Sequence, residues 1–415
     1  MRIFSPMAIL VILMLAPAGA NEPPELELLS VTKIWDEAPH NAFTDLLRWN
    51  GQFYCAFREG RGHVSTDGRI RVLASEGGNS WESVALIDME GYDLRDAHLC
   101  ATPGRRMMLL GGAAPRKEDG QGCATGSFVA FSADGRTWTE PTIVVEPGRW
   151  LWQVDWFGGK AYGFAYGTGG RAYDGQLLVT DDGLDFDVLV PGISVDGRFT
   201  EATVRFASDG TCYALIRRER RGDNPTGALL GVARADYAKW ELYDLGLQFR
   251  SFGGPNLMQL PFGDWIAAGR MHQGGAHTAI TWLEINAHRM EKLLKLPSGG
   301  DTSYPGLAWY GDLLWVSYYS SHEGKTSIYM AKIAVHVPCP ACGGDLTTVP
   351  MLVGLPSESM HDQMHRGEAL LAGCIGNPYN PKIACVCPKC RKWKTEDMKH
   401  WQDLPRAFGR GVKVD

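Results

Sequence analysis

Ser132-Ala133-Asp134-Gly135-Arg136-Thr137-Trp138 returns as Thr180-Asp181-Asp182-Gly183-Leu184-Asp185-Phe186 and, more loosely, as Ser75-Glu76-Gly77-Gly78-Asn79-Ser80-Trp81. An Asp-Gly pair suits a tight hairpin turn, the leading Ser or Thr can bond the turn backbone, and the closing aromatic can pack beneath it. The copies recur at roughly 50 residues, the length of one four-stranded propeller blade. A degenerate fourth copy runs from Ala233 to Trp240, with Asp236 and Trp240 in the corresponding places. Three unrelated hairpins are the plainer alternative, but spacing and terminal aromatic recur together.

Composition agrees with many short strands and tight turns: 50 glycines, 23 prolines and 14 tryptophans in 415 residues. Strand-like stretches such as Gln52 to Phe57, Phe128 to Phe131, Cys212 to Ile216 and Leu313 to Tyr318 are separated by Gly, Asp and Asn turns. Helical periodicity is absent before residue 338. The expected fold is all-β: a six-bladed β-propeller over residues 26–337, its ring closed by Ser327 to Ile333, then a small Cys-rich module over 338–415.

Met1-Arg2, the apolar run Met7 to Leu15 and Ala18-Gly19-Ala20 read as an export signal over residues 1–20, cleaved near Ala20. No later segment has the length and apolarity of a membrane helix, so an exported protein, periplasmic or secreted, without stable membrane insertion is expected. The net charge of −6 argues against nucleic acid as a partner. An anionic ligand would need a local arginine cluster.

Residues 338–415 hold six of the ten cysteines. Cys339-Pro340-Ala341-Cys342 and Cys387-Pro388-Lys389-Cys390 are two knuckles that can present four thiolates to one structural zinc, as in a zinc ribbon. Disulfides are the alternative in an exported protein. The long stretch between the knuckles calls for an inserted element. His361 and His365, four residues apart, read as solvent-exposed side chains, with a place in a metal site as the alternative, and the basic run Lys389 to Lys394 as a solvated face, with contact to a polyanionic surface as the alternative.

A propeller gathers its chemistry at one end of its central channel. Polar candidates are Arg58, Asp67, Arg95, Asp96, Glu201, Arg217, Arg270, the segment Gly299 to Gly306, and Ser317 to Gly324 with Glu323. Arg58, Arg217 and Arg270 end strand-like runs in different blades, so blade symmetry can bring three guanidiniums to one carboxylate or sulfate. Each can equally salt-bridge its own blade edge.

The Asp-Gly turns, Ala56-Phe57-Arg58-Glu59-Gly60-Arg61 followed by Asp67, and the order Asp, Glu, Arg, Arg, Tyr, Glu along the chain resemble sialidases and their propeller relatives over residues 26–337. Leu296 to Gly306 and Ser317 to Lys332 look most like bacterial exported sialidase-like proteins. The resemblance implies an exo-glycosidase on terminal, acidic sugars of a glycan, with Tyr304 as nucleophile, Glu201 as its base, Asp67 as general acid/base, and Arg217 and Arg270 in a carboxylate clamp. Arg58, Arg95, Asp96 and Glu323 are further substrate-binding candidates. A phenol nucleophile avoids the repulsion that a carboxylate would meet at a centre bearing its own carboxylate. One departure stands out: the first-strand position at which sialidases carry a clamp arginine falls at Asn41-Ala42-Phe43-Thr44, with Arg58, Arg61 and Arg71 as substitutes from neighbouring strands. A polysaccharide lyase, using Tyr304 with His63 or His98 on a uronate glycan, and a non-catalytic glycan-binding propeller are the alternatives. No cofactor is expected for catalysis.

Overall fold

A computed structural model describes residues 22–116, 124–170, 173–223, 226–246, 252–352, 357–371, 383–395, 398, 400–406 and 408–409. The export signal at 1–20 lies outside these residues. Between Glu25 and His336 the described residues form six four-stranded antiparallel sheets. Their innermost strands are His40–Trp49, Tyr92–Ala101, Arg149–Phe157, Arg198–Phe206, Gly253–Gln259 and Thr302–Tyr310. Each packs on the next sheet in the series, and Thr302–Tyr310 packs back on His40–Trp49, closing a ring. This is a β-propeller.

The repeated phrase makes the turn between the third and fourth strands of its sheet. Ser132 Oγ accepts from the Gly135 N–H at 2.8 Å, and Asp134 Oδ1 accepts from the N–H groups of Arg136 and Thr137 at 2.8 and 2.7 Å. These bonds hold the Asp134 carboxyl down at about 2. Thr180 and Asp182 repeat the arrangement towards Gly183, Leu184 and Asp185. Gly135 and Gly183 turn at φ 75° and 80°, a region that disfavours a Cβ. The looser copies keep only part of it: Ser75 Oγ accepts from Gly78, and Asp236 from Ala238.

Ring closure differs in one detail from the sequence expectation. Ser327–His336 is the third strand of the last sheet, and the outer strand is the N-terminal Glu25–Trp35, paired antiparallel from Glu25 opposite His336 to Trp35 opposite Ile328. The ring is therefore fastened by its two chain ends.

A β-bulge recurs at the same place in all six innermost strands. In each, two residues face one on the second strand: Phe43 and Thr44, Asp96 and Ala97, Trp152 and Gln153, Thr200 and Glu201, Gly254 and Pro255, Tyr304 and Pro305. Phe43, Asp96, Gly254 and Tyr304 have positive φ, between 42° and 62°. Backbone groups that the bulges free from the ladder bond to neighbouring sheets. Thr44 Oγ1 donates to the Tyr304 carbonyl at 2.8 Å, Asn256 Nδ2 to the Pro305 carbonyl at 2.9 Å, and the Leu99 N–H to Asp45 Oδ2 at 2.8 Å.

After His336 the chain builds a five-stranded sheet with Thr347–Leu352 and Ile383–Cys387 at its centre, and the helix Glu358–Arg366 is the inserted element between the knuckles. His361 lies exposed on that helix. Cys339, Leu346 and Cys385 share a core with Leu260, Phe262 and Leu314 of the propeller, and Trp309 Nε1 donates to Thr348 Oγ1 at 3.0 Å. No described helix is long and apolar enough to cross a membrane.

Candidate active site

The bulges carry Glu201 and Tyr304 from two sheets into one hydrogen-bonded unit. The Tyr304 hydroxyl donates to Glu201 Oε1 at 2.7 Å, and Arg217 Nη1 bonds the same oxygen at 2.6 Å and the phenol oxygen at 3.1 Å. The other carboxylate oxygen accepts from the Gly254 N–H at 2.6 Å, and Arg217 Nη2 pairs with Glu219 at 2.6 Å. Arg270 lies 5.3 Å from the centre of the Tyr304 ring, its Nη1 at 3.5 Å from the Thr302 carbonyl and its Nε without a hydrogen bond.

Gly254 has to be glycine: a Cβ there would stand 2.4 Å from Tyr304 Cγ, on a backbone with φ 58°. The Tyr304 ring lies against the carbon-free face of this residue.

Burial pushes the Glu201 carboxyl up, but the Arg217 charge and hydrogen bond, then the bonds from Gly254 and Tyr304, outweigh it and leave the group below its ordinary value. Glu201 is therefore a carboxylate at neutral pH, accepting the hydrogen bond of the Tyr304 hydroxyl. Burial and the Glu201 charge hold the Tyr304 hydroxyl far above its ordinary value, against the pull of Arg217 and Arg270. The phenol keeps its proton until something draws on it.

Asp96 belongs to the same electrostatic neighbourhood. Burial first, and the Glu201 charge second, push its carboxyl up to about 8, against the pull of Arg95 and Arg58. Its Oδ1 is buried without a hydrogen bond. A neutral carboxylic acid at pH 7 can donate where a carboxylate can only accept.

Arg217 and Arg270 both approach Tyr304, but Arg58 does not. The Arg58 side chain is completely buried, with Nε and Nη2 on Asp93 Oδ1 at 3.2 and 2.8 Å, Nη1 on the Gly62 carbonyl at 2.9 Å, and Nη2 on Ser65. It ties the first two sheets together and has no free face for a ligand, which corrects the three-arginine expectation. Arg95 Nε takes the other Asp93 oxygen at 2.6 Å. Glu323 pairs with Lys33 of the outermost strand at 2.8 Å, a tie at the sheet's outer edge that corrects its substrate-binding assignment. Of the other two suggested substitutes, Arg71 is paired with buried Glu59, and Arg61, largely exposed, lies 3.3 Å from Asp67.

Asp67 sits on the loop before Arg69–Ser75, where its carboxylate accepts from the Arg61 N–H at 3.2 Å. Burial raises its pKa, but the bonds from Ser65 and Arg61 and the Arg61 charge outweigh it and leave the carboxyl below its ordinary value. His63, from the same loop, meets the Phe43 ring at 5.1 Å, and Phe43 meets Tyr304 at the same separation. The loop thus reaches the edge of the Tyr304 environment. His98 stacks edge-on to Trp152, with neither ring nitrogen hydrogen-bonded.

Sequence reasoning did not single out the aromatic wall. Phe43, in the segment Asn41 to Thr44 where the resemblance expects an arginine, is in edge contact with Tyr304 and Tyr319 at 5.1 and 5.2 Å; Trp152 meets Tyr304 at 5.8 Å. The position was visible in the sequence, but its neighbours were not.

The four knuckle sulfurs also converge. Cys339 and Cys390 Sγ stand 3.8 Å apart and Cys342 and Cys387 Sγ 3.5 Å, all four atoms within 4.8 Å of one another. Disulfide sulfurs would be ~2.05 Å apart, whereas the edge of a tetrahedron with ~2.3 Å zinc–sulfur bonds is about 3.8 Å. The cluster is compatible with a metal site.

No family model matches the chain, and no curated protein matches it in sequence. Solved structures do. A protein of unknown function from Dyadobacter fermentans superposes with TM-score 0.64 at 18% identity, over 75% of this chain and 100% of its own. The GH93 α-L-arabinofuranosidase of Fusarium graminearum, in complex with arabinobiose, gives 0.58 at 14% identity, over 74% and 98%. The NanB sialidase of Streptococcus pneumoniae gives 0.55 at 10%, over 74% and 70%. At such identities the fold is what is shared, a propeller common to sialidases and an arabinofuranosidase.

Proposed function

We propose that this chain is a six-bladed propeller glycoside hydrolase, each four-stranded sheet being one blade, that removes a terminal acidic sugar from a glycan. One observation carries the reading: the Tyr304 phenol donates to a carboxylate, Glu201, that Arg217 keeps ionised. Tyr304 attacks the anomeric carbon as its proton passes to Glu201, forming a glycosyl–tyrosine bond as the leaving oxygen departs, and water then releases the sugar with retention. Asp67 supplies the proton to the leaving oxygen and takes one back from the water. Arg270, with its unpaired Nε, receives the sugar's acidic group. Phe43, from the segment where the resemblance expects an arginine, sets an apolar ring beside Tyr304 instead of a charge.

The direct test is turnover by residues 21–415 on aryl glycosides of sialic acid, uronic acids and neutral sugars. Release from an acidic glycoside with retained configuration is expected. Release of neutral sugars only would overturn the substrate assignment, and an ultraviolet-absorbing unsaturated product would establish a lyase.

Asp96 gives this site a pH dependence. Its proton is present below about 8 and is lost above it, so substrate affinity should fall as pH rises through that value. The same sign applies to folding. With a native pKa above the ~3.9 of an unfolded aspartate, the proton contributes stability below that value, and the contribution is lost as pH rises through about 8. Asp96→Asn, which keeps a donor without titrating, should flatten the alkaline limb of kcat/KM; an unchanged limb would remove Asp96 from the site.

We further infer that Cys339, Cys342, Cys387 and Cys390 hold a structural zinc. Cys390→Ser should release zinc and open residues 338–415 to protease while leaving the propeller resistant. A zinc-free wild-type protein with an equally resistant C-terminal region would refute this.

A further inference from the structure

One group of side chains near the candidate site has no part in the chemistry above. His40 Nε2 and His63 Nδ1 both stand against the same oxygen, Asp301 Oδ2, at 2.9 and 2.7 Å. All three ligand-type atoms lie within 4.8 Å of one another. They come from distant parts of the chain: His40 opens the innermost strand of the first sheet, His63 lies on that sheet's loop, and Asp301 directly precedes the innermost strand of the last sheet.

The surroundings are those of a coordinating group. The Tyr319 hydroxyl donates to the other Asp301 oxygen at 2.8 Å, which fixes the plane of the carboxylate. Arg270 approaches that same far oxygen only at 4.0 Å. His40 is buried, and its second nitrogen, Nδ1, makes no hydrogen bond, so the cluster is the ring's one polar attachment. Metal–ligand bonds of ~2.0–2.2 Å put adjacent donor atoms about 2.8–3.6 Å apart in octahedral or tetrahedral sets, so the two His–Asp pairs would open by at most about 0.9 Å to admit an ion.

We propose that His40, His63 and Asp301 bind a first-row divalent transition ion. Two imidazoles and a carboxylate suit zinc, cobalt or iron(II) better than calcium or magnesium, which favour all-oxygen sets. Three protein ligands leave at least one position open, as in catalytic zinc sites, for water or for a hydroxyl or carboxylate oxygen of a bound sugar. The Phe43 ring touches both His63 and Tyr304, which places the ion one side chain from the phenol. Metal binding itself does not depend on the glycosidase reading, because it is measured without substrate.

The test is metal content and spectrum of metal-stripped residues 21–415 titrated with zinc and, separately, with cobalt(II). His63 is half-exposed, so His63→Ala should fold, as circular dichroism would verify. It is expected to bind one equivalent of zinc less per chain than the wild type, whatever the cysteines hold. Its cobalt form should lose the weak visible bands of nitrogen and oxygen ligation and keep the intense thiolate-to-cobalt bands unchanged. Asp301→Asn should repeat both losses, and Tyr319→Phe should weaken the site about 10–100-fold. Equal zinc content in the wild type and both ligand variants would overturn the proposal. So would a wild-type cobalt spectrum composed of thiolate bands alone, or no metal uptake outside the cysteines.

Discussion

Tyr304→Phe is expected to lower turnover of an activated aryl glycoside about 1,000-fold or more while the protein stays folded. Phenylalanine keeps the ring and its contacts with Phe43, Trp152 and Arg270 and removes only the oxygen that Glu201 and Arg217 hold. Glu201 is not stranded by the change, since Arg217 and the Gly254 N–H still satisfy it. The stability loss should therefore stay within about 1–3 kcal/mol, the range for one hydrogen bond to a charged group. Urea denaturation and steady-state kinetics on the same sample separate the two effects. A variant that still turns over at a tenth of the wild-type rate would rule out a tyrosine nucleophile.

Arg217→Leu should be the most damaging single change to stability, costing about 3–5 kcal/mol near neutral pH, because it leaves buried Glu201 without its charge partner. Glu219 loses a partner as well, but is partly exposed and can turn to water. The sign with pH follows from the cause. In the wild type Glu201 sits below its ordinary value, so it contributes stability at neutral pH that is lost as pH falls through its folded pKa. Without Arg217, burial is opposed only by the bonds from Gly254 and Tyr304 and the pKa rises, so the deficit should shrink towards pH 5 and widen towards pH 8. Adding Glu201→Gln to Arg217→Leu should recover part of the loss, and the double-mutant cycle gives the coupling. Additive effects of the two changes would mean that the pair contributes nothing as a pair.

The blade turns could be read in the sequence because their hydrogen bonds are local: Ser132, Asp134 and Gly135 satisfy one another within four residues. The positions of Tyr304, Glu201, Arg217 and Arg270 came from order along the chain, and the propeller brings these four together. What could not be read depends on the next sheet. Arg58 looked like a ligand-binding arginine at a strand end, yet Asp93, 35 residues on, takes its guanidinium. Glu323 looked like part of a polar loop, and Lys33 from the far end of the chain claims it. The six bulges have no common sequence signature. Gly254-Pro255 and Tyr304-Pro305 hint at interrupted ladders, but Phe43-Thr44, Trp152-Gln153 and Thr200-Glu201 read as ordinary β residues. Without the bulges, the alternation of a regular strand gives no reason for these particular side chains to meet.

Fastening the last sheet with the N-terminal strand leaves the ring a single seam. Elsewhere, successive sheets are joined by covalent chain, but here Glu25–Trp35 is zipped to Ser327–His336 by hydrogen bonds between residues some three hundred positions apart. The zipper cannot close until Ser327–His336 has been made, and a stretched or heated ring should open there first. Across the same seam run the bond from Thr44 to the Tyr304 carbonyl, the bond from Asn41 to the Thr326 carbonyl, and the His40–Asp301 contact. An ion held by His40, His63 and Asp301 would act there as a rivet, so that mechanical integrity of the ring and readiness of the phenol would rise and fall together with metal supply.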